Sequence, residues 1–180
     1  MSTDIKDNNE NAELLDNYAM IEKIGSGSFG DVYLARRKDG GYVAAKIEDK
    51  TKPPRIYNEY KIYHYLHKNN FNVGLPKIYE FIETRDYNIM FMQLLGPSLE
   101  DLFNKNNHVF KLETIFMLAL QLMDLVEQLH KNFFIHRDIK PNNFLIGRNQ
   151  SVAQVYMMDF GLSKKYMLDG KHIKFRNKRS

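Results

Sequence analysis

The most constraining feature of this sequence is a pair of short polar motifs in its second half. The first is His136-Arg137-Asp138, followed by Lys140 and Asn143, and the second is Asp159-Phe160-Gly161. A short hydrophobic run lies between them. Either tripeptide alone could occur by chance on a polar loop. Both in this order, inside longer matching stretches, argue against chance.

The side chains of these motifs are those that phosphoryl transfer from a nucleotide requires. An acceptor hydroxyl must lie in line with the γ-phosphate while negative charge is neutralised. We expect Asp138 to accept or orient the hydroxyl proton, and Lys140 to neutralise the transferring group. Asn143 and Asp159 offer the hard oxygen ligands that Mg²⁺ prefers. His136 is expected to pack and hydrogen-bond instead of acting as a base.

A glycine-rich stretch in the first half predicts a phosphate-binding element, because backbone N–H groups approach phosphate closely where side chains are missing. A G-x-G-x-x-G pattern precedes a helix in dinucleotide folds and a second strand in kinases. Here residues 32–35 and 42–47 are strand-like, with a turn signal at 38–41. The glycines therefore cap a hairpin. Its predicted nucleotide-binding residues are Ile24, Gly25, Ser26, Gly27, Ser28, Phe29, Gly30, Asp31 and Val32.

Lys46 ends the second strand of this hairpin and is expected to contact the α- and β-phosphates. The commoner role for a lysine at such a position is solvation on the surface. Its expected partner is Glu59, in a helical stretch over Arg55–Lys68 whose apolar and aromatic residues recur every three or four positions. Glu48 and Glu80 remain alternative partners.

With these parts in place, the chain resembles the eukaryotic-type protein kinases, and more narrowly the casein kinase 1 family. The similarity covers about residue 18 to the C-terminus. The narrower resemblance rests on KIGSGSFGDV at 23–32, YNIMFMQLLGPSLEDLF at 87–103, HRDIKPNNFL at 136–145 and DFGLSKKY at 159–166. Asn142 and Gln93 depart from the usual residues of that family, at positions that do no chemistry.

The resemblance implies an α+β, protein-kinase-like two-lobed fold. An antiparallel sheet plus one helix forms the N-lobe over about residues 18–92, followed by a hinge at 93–97 and an incomplete helical C-lobe over 98–180. ATP with Mg²⁺ is implied in the cleft between the lobes. The adenine site is implied to comprise Met92 as gatekeeper, Gln93 and Leu95 as hinge contacts, and Ala44, Leu145 and Met158 as apolar walls.

The implied activity is transfer of the ATP γ-phosphoryl to Ser or Thr of acidic or phospho-primed proteins, with Arg176 aligned to a basic position of the activation segment. Lys140 after Asp138 agrees with a serine/threonine kinase. Two alternatives remain. One is a truncated, catalytically impaired nucleotide-binding or protein-interaction module. The other is a small-molecule phosphotransferase, which the close match around Gly96 disfavours.

The resemblance also implies a domain longer than 180 residues, because Ser180 falls inside the expected activation segment. The sequence is therefore interpreted as a fragment of a longer kinase or a truncated form with impaired activity. A predicted helix over Leu112–Lys131 carries an apolar band wide enough for burial on several sides. Without later helices to cover it, we expect an exposed apolar patch, which marks a partner interface or an aggregation liability.

Composition and charge limit the cellular locations and partners that the sequence predicts. The chain lacks cysteine, an apolar run of the roughly 20 residues that span a bilayer, and a signal pattern. These features predict a cytoplasmic or nuclear protein with no membrane association. Residues 1–17 carry a net charge of −4 and predict a disordered polar leader. Residues 164–180 carry +6 and are expected to be flexible and solvated, with acidic substrates favoured over nucleic acid as their partner.

Overall fold

A computed structural model describes residues 16–27, 30–168 and 170–174. The first half forms a five-stranded antiparallel sheet in the order β1-β2-β3-β5-β4. Its strands are β1 (Tyr18–Gly27), β2 (Gly30–Arg37), β3 (Tyr42–Asp49), β4 (Ile78–Glu83) and β5 (Tyr87–Gln93). The predicted hairpin is confirmed: β2 and β3 pair around a turn in which the Gly41 carbonyl accepts from the Arg37 N–H at 2.7 Å.

Successive side chains of β3 pack alternately into two hydrophobic clusters, one on each face of the sheet. Val43, Ala45 and Ile47 are buried in a cluster with Phe91, on one face of the sheet. Ala44 lies in a second cluster that continues into the rest of the molecule. Because neighbouring residues on a strand point to opposite faces, Ala44 and Lys46 share the face on which the later part of the chain packs.

Helix α1 (Ile56–Lys68) lies against this second face. Its buried residues are Ile56, Glu59, Tyr63 and Leu66, at the helical spacing that the sequence predicted. The observed start is one residue later than the predicted start at Arg55. Glu59, on the buried face of α1, links the helix to the sheet through an ion pair with Lys46 of β3.

Two further helices and several short strand pairs form the second half. The helices are α2 (Leu99–Lys105) and α3 (Leu112–Lys131), the second with the predicted bounds. The strands are β6 (Phe134–Ile135), β7 (Phe144–Ile146), β8 (Val155–Met157), β9 (Lys164–Lys165), β10 (Met167–Leu168) and β11 (Lys171–His172). They pair as β6–β9, β7–β8 and β10–β11. The loop between β6 and β7 and the turn between β8 and β9 carry the two polar motifs.

An antiparallel sheet with one helix, followed by a helical half, is the predicted α+β fold. The predicted apolar band of α3 is buried only at Leu125 and Leu129. Leu120 and Met123 are 73% and 72% exposed, so the expected apolar patch is present. In the part of the chain that the structure describes, no helix combines the length and apolarity that a membrane span needs.

Several sequence-based predictions fall on positions that the structure does not describe. The predicted polar leader lies outside the described residues, apart from the turn at Asp16 and Asn17 before β1. Ser28, Phe29 and Arg176 also lie outside them. The roles predicted for these residues stay predictions.

Candidate active site

A cleft of about 860 Å³ lies between the sheet and the second half of the molecule. Its walls come from the β1–β2 hairpin, β3, the segment after β5, and both polar motifs. The predicted site residues that line it are Ile24, Gly25, Ser26, Gly27, Gly30, Val32, Ala44, Lys46, Glu59, Met92, Gln93, Leu95, Lys140, Asn143, Leu145, Met158 and Asp159. Residues that are far apart in the sequence thus meet in one concavity.

The tip of the β1–β2 hairpin closes the cleft on the sheet side. Gly27 pairs with Gly30 across the hairpin, and Gly30 has φ +145°. A Cβ atom at Gly30 would lie 2.2 Å from the carbonyl oxygen of Ile47 on β3. Only glycine fits this close approach, so the third glycine of the motif also serves sheet packing.

Asp31 makes its side-chain contacts within the hairpin. Its carboxylate accepts from Lys23 Nζ and Ser26 Oγ, both at 2.8 Å, and Asp31 is not among the residues that line the cleft. Hydrogen bonds from Lys23 and Ser26 lower the pKa of Asp31 below its ordinary value. These contacts brace the hairpin, and a role of Asp31 toward a nucleotide stays a prediction.

Lys46 lies at the centre of a three-residue charge cluster. Its Nζ is 2.6 Å from Glu59 Oε2 and 3.3 Å from Asp159 Oδ1. Burial favours the neutral amine, but these two carboxylates outweigh it and raise the pKa of Lys46, so the ammonium persists. Of the three possible partners of Lys46, the structure shows Glu59. The Glu48 carboxylate accepts from the backbone N–H groups of Arg55 and Ile56 instead.

The Glu59 carboxylate is buried, with 1% of the residue exposed. Burial raises its pKa, and the neighbouring Lys46 ammonium and a hydrogen bond from the Phe160 N–H oppose that rise. Among the described residues, Glu59 Oε1 makes no hydrogen bond of good geometry. Lys46, at 2.6 Å from Oε2, is therefore the main partner of this carboxylate.

The loop between β6 and β7 holds the second group of charges. Asp138 Oδ2 accepts from Lys140 Nζ at 2.7 Å and from Asn143 Nδ2 at 3.0 Å. These hydrogen bonds, that from Lys140 first, lower the pKa of Asp138, so its carboxylate is ionised at neutral pH. Asn143 Nδ2 also donates to the Asp138 carbonyl at 2.7 Å, which fixes the amide.

His136 is a packed residue, as expected. It is 1% exposed, and its ring lies 5.3 Å from that of Phe160. Nε2 donates to the Met158 carbonyl at 2.9 Å, and Nδ1 accepts from the Asp138 N–H at 3.3 Å. Burial lowers the pKa of His136, so the ring is neutral and joins the two polar motifs.

The turn between β8 and β9 directs two neighbouring side chains to different places. Asp159 has φ +62° and ψ +73°, in the left-handed region. Its carboxylate contacts Lys46. Phe160 is fully buried and packs edge-on against Tyr63 of α1, with 4.8 Å between the ring centroids. An aspartate in this conformation stores strain that the surrounding contacts must hold.

The segment after β5 offers backbone groups to the cleft. Met92 is 2% exposed at the end of β5, and Leu95 is 8% exposed. Between residues 16 and 174, wherever the structure describes the chain, no hydrogen bond uses the backbone N–H or C=O of Leu95. A free donor and acceptor beside the apolar walls Ala44 and Leu145 are what a purine edge would need.

Comparison with protein-family models supports the assignment that this geometry suggests. Residues 18–178 match the model of the protein kinase domain. The chain belongs to the protein kinase family. Members of this family use ATP as the phosphoryl donor, typically with Mg²⁺.

The donor set of the kinase fits Mg²⁺. Magnesium is usually held by one or two protein ligands together with substrate phosphates. Asn143 uses Nδ2 for its side-chain contacts, and Asp159 uses Oδ1. The Oδ1 of Asn143 and the Oδ2 of Asp159 are therefore left as ligands. In the described ranges, no group of three or more His, Asp or Glu residues could hold a metal ion.

Nine residues that line the kinase cleft were not among the predicted site residues, and Ser98 and Asp101 are two of them. Ser98 and Asp101, at the start of α2, line the cleft beside the hinge. They form a capping box, in which Ser98 Oγ accepts from the Asp101 N–H and Asp101 Oδ2 accepts from the Ser98 N–H. The Ser-x-x-Asp spacing before a helix was readable in the sequence, but it indicated only a helix start.

Proposed function

We propose that this protein kinase is a serine/threonine kinase of casein kinase 1 type, acting on acidic or phospho-primed proteins with ATP and Mg²⁺. The observation that carries the proposal is the convergence of Lys46, Asn143 and Asp159 on one cleft. Asp138 does not line the cleft itself but bonds to Lys140 and Asn143, which do. The finer assignment is supported by Lys140 beside Asp138 and by the four matching stretches. We assign residues 18–92 to the N-lobe, 93–97 to the hinge and 98–180 to the C-lobe.

Each side chain has a distinct role in the proposed reaction. Lys46, held by Glu59, binds the α- and β-phosphates. Asp138, ionised at neutral pH, orients the acceptor hydroxyl and takes up its proton. Lys140 neutralises charge on the transferring group. Mg²⁺, held by Asn143 and Asp159, supplies further charge neutralisation at the phosphates when bound.

The surface beside the cleft supports an acidic substrate. Lys164 on β9 pairs with Ile135 on β6, immediately before the catalytic loop. Lys164, Lys171 and Lys174 are exposed. Exposed cations on this surface would raise the local concentration of acidic peptides.

The test is phosphate incorporation from labelled ATP with Mg²⁺ into an acidic Ser peptide, beside matched Tyr and basic Ser peptides. We expect transfer to the acidic Ser peptide, lowered about 100-fold or more by Lys46→Met and by Asp138→Asn. Lys50 directly follows the end of β3 and is paired with Glu83. The variant Lys50→Met should leave transfer unchanged.

Two results would count against the proposal. Transfer to the Tyr peptide, or equal transfer to both Ser peptides, contradicts the substrate class. Binding of ATP by a folded, monodisperse protein that transfers no phosphate indicates a nucleotide-binding module instead.

A further inference from the structure

The first turn of α1 is capped by a residue from another element. Arg55, the N-cap residue, makes no side-chain cap to the helix. The first N–H groups of a helix have no partner within the helix and need other acceptors. Glu48 on β3 provides one: its Oε1 accepts from the Arg55 N–H at 2.8 Å and from the Ile56 N–H at 3.3 Å.

The Glu48 carboxylate is buried between three elements. Glu48 is 1% exposed. Its second oxygen, Oε2, accepts from Asn88 Nδ2 at 3.3 Å, and Asn88 is the direct partner of Glu48 in the β3–β5 register. A buried charge is strongly unfavourable unless it is hydrogen-bonded. Here β5 and the positive end of α1 supply those bonds.

The spacing along β3 links this cap to the active site. Lys46 and Glu48 are two residues apart and so share one face of the strand. Glu48 holds the backbone where α1 begins, and Lys46 holds Glu59, three residues after Ile56. β3 therefore contacts the first turn of α1 at two points.

We propose that Glu48 is a positioning residue, whose carboxylate fixes the start of α1 and thereby holds Glu59 against Lys46. The inference rests on the proposed kinase function of the cleft for its effect on catalysis. An ordinary helix cap would contribute to stability alone. Glu48 instead sets the geometry in which Lys46 meets the nucleotide phosphates.

The chain offers a matched control, because Asn88 lies between two glutamates. Glu83 on β4 is the other direct partner of Asn88, but its side chain is 67% exposed and binds Lys50 on the surface. Glu83→Gln thus removes the same charge next to the same asparagine without touching α1. Glu48→Gln keeps a carbonyl oxygen as acceptor, and Glu48→Ala removes the acceptor.

The experiment compares these three variants with the wild-type chain. For Glu48→Gln and Glu48→Ala, we expect kcat to fall about tenfold and about 100-fold, with less than about threefold change in KM for ATP. Hydrogen exchange of the amides of residues 55–59 should accelerate in the same order. Glu83→Gln should match wild type in both measurements. Should Glu48→Ala fail to fold, Glu48→Gln alone suffices for the comparison.

A third measurement separates this inference from the proposed function. The Lys46 amine should react faster with an activated ester in Glu48→Gln and in Glu59→Gln than in wild type or Glu83→Gln, because the ammonium loses its carboxylate. This readout needs no phosphoryl transfer. If the wild type and every variant transfer no phosphate but Lys46 labelling still increases in Glu48→Gln, the proposed function is overturned and the placement of α1 by Glu48 is supported.

Either of two other results would overturn the inference. Faster amide exchange with unchanged kcat and unchanged Lys46 labelling would mean that Glu48 is a cap without influence on the site. Exchange and labelling equal to those of Glu83→Gln would mean that the hydrogen bonds that Glu48 accepts do not hold α1.

Discussion

At the scale of single residues, backbone conformation determines which side chains reach the cleft. Asp159 is a non-glycine residue at φ +62°, and this rotation sends its carboxylate to Lys46 while Phe160 enters the core. At Gly30, φ of +145° lets the hairpin approach β3 more closely than any side chain would allow. Both residues accept an unusual conformation for a specific contact.

Gly30→Ala should destabilise the protein by about 3 kcal/mol or more, since it adds a clash with the Ile47 carbonyl to the strain of positive φ. Gly40→Ala is the matched comparison. Gly40 has φ +94°, but a Cβ atom there meets nothing within 4 Å, so only strain of about 1 kcal/mol is expected. Denaturant unfolding of both variants measures the difference, and equal losses would contradict the packing role of Gly30.

Stability should fall as pH decreases below 6.5, in part because of His136. Burial lowers its pKa from the ordinary 6.5, so the unfolded chain binds a proton more readily than the folded one. The stability that His136 contributes is therefore present above pH 6.5 and lost as pH falls through the folded-state pKa. A second proton, on Nδ1, would also face the Asp138 N–H.

The measurement is the free energy of unfolding at pH 7 and pH 5 for wild type, His136→Asn and His64→Asn. We expect a smaller loss between the two pH values in His136→Asn than in wild type. His64 is exposed, and its variant should follow wild type. An unchanged pH dependence in His136→Asn would assign the acid sensitivity to other groups.

At the scale of elements, α3 combines a small buried stripe with a wide exposed one. Leu125 is 2% exposed and packs in the main core, whereas Leu120 is 73% exposed. Leu120 comes five positions before Leu125, so the two side chains point to nearly opposite sides of the helix. What distinguishes them is which neighbouring element covers each position.

Leu125→Ala should lower the free energy of unfolding by about 2–5 kcal/mol, because it leaves a cavity in the core. Leu120→Gln should change it by less than about 0.5 kcal/mol. Leu120→Gln should also reduce self-association, measured by light scattering, because it interrupts the exposed patch. A large loss of stability in Leu120→Gln would show that this face is covered in solution.

At the scale of the whole molecule, the contact between Lys46 and Asp159 links the sheet to the second half across 113 positions of sequence. His136 and Phe160 extend this link into the core through Tyr63 of α1. A ligand that binds the cleft therefore touches both halves together. Its binding should stabilise the folded chain as one unit.

ATP with Mg²⁺ at 100 times its Kd should raise the free energy of unfolding by about 2.7 kcal/mol. The increase should be smaller with ATP and a chelator, because Asn143 and Asp159 then lack the metal that joins them to the phosphates. Asp159→Asn should reduce the difference between the two conditions. Equal thermal shifts with and without Mg²⁺ would contradict the metal site.

Much of the local structure was predictable because it depends on local patterns. The bounds of α3 follow from its apolar periodicity, and the hairpin follows from glycines, a turn signal and strand-like runs. The partner of Lys46 did not follow in the same way. Glu59 was the expected partner because it lies on the inward stripe of its helix, but Glu48 and Glu80 stayed possible until the packing of α1 on β3 was known.

The sequence by itself determined the β2–β3 hairpin, the helices α1 and α3, the two polar motifs and the chemical groups that phosphoryl transfer needs, because turn residues and periodicity act over a few neighbouring positions. Only the tertiary structure decided that Glu59 meets Lys46, that Glu48 caps α1 and that Asp101 lines the cleft. Such contacts depend on how strands and helices pack together. Packing is set by burial and hydrogen bonding summed over the whole chain, which no local pattern contains.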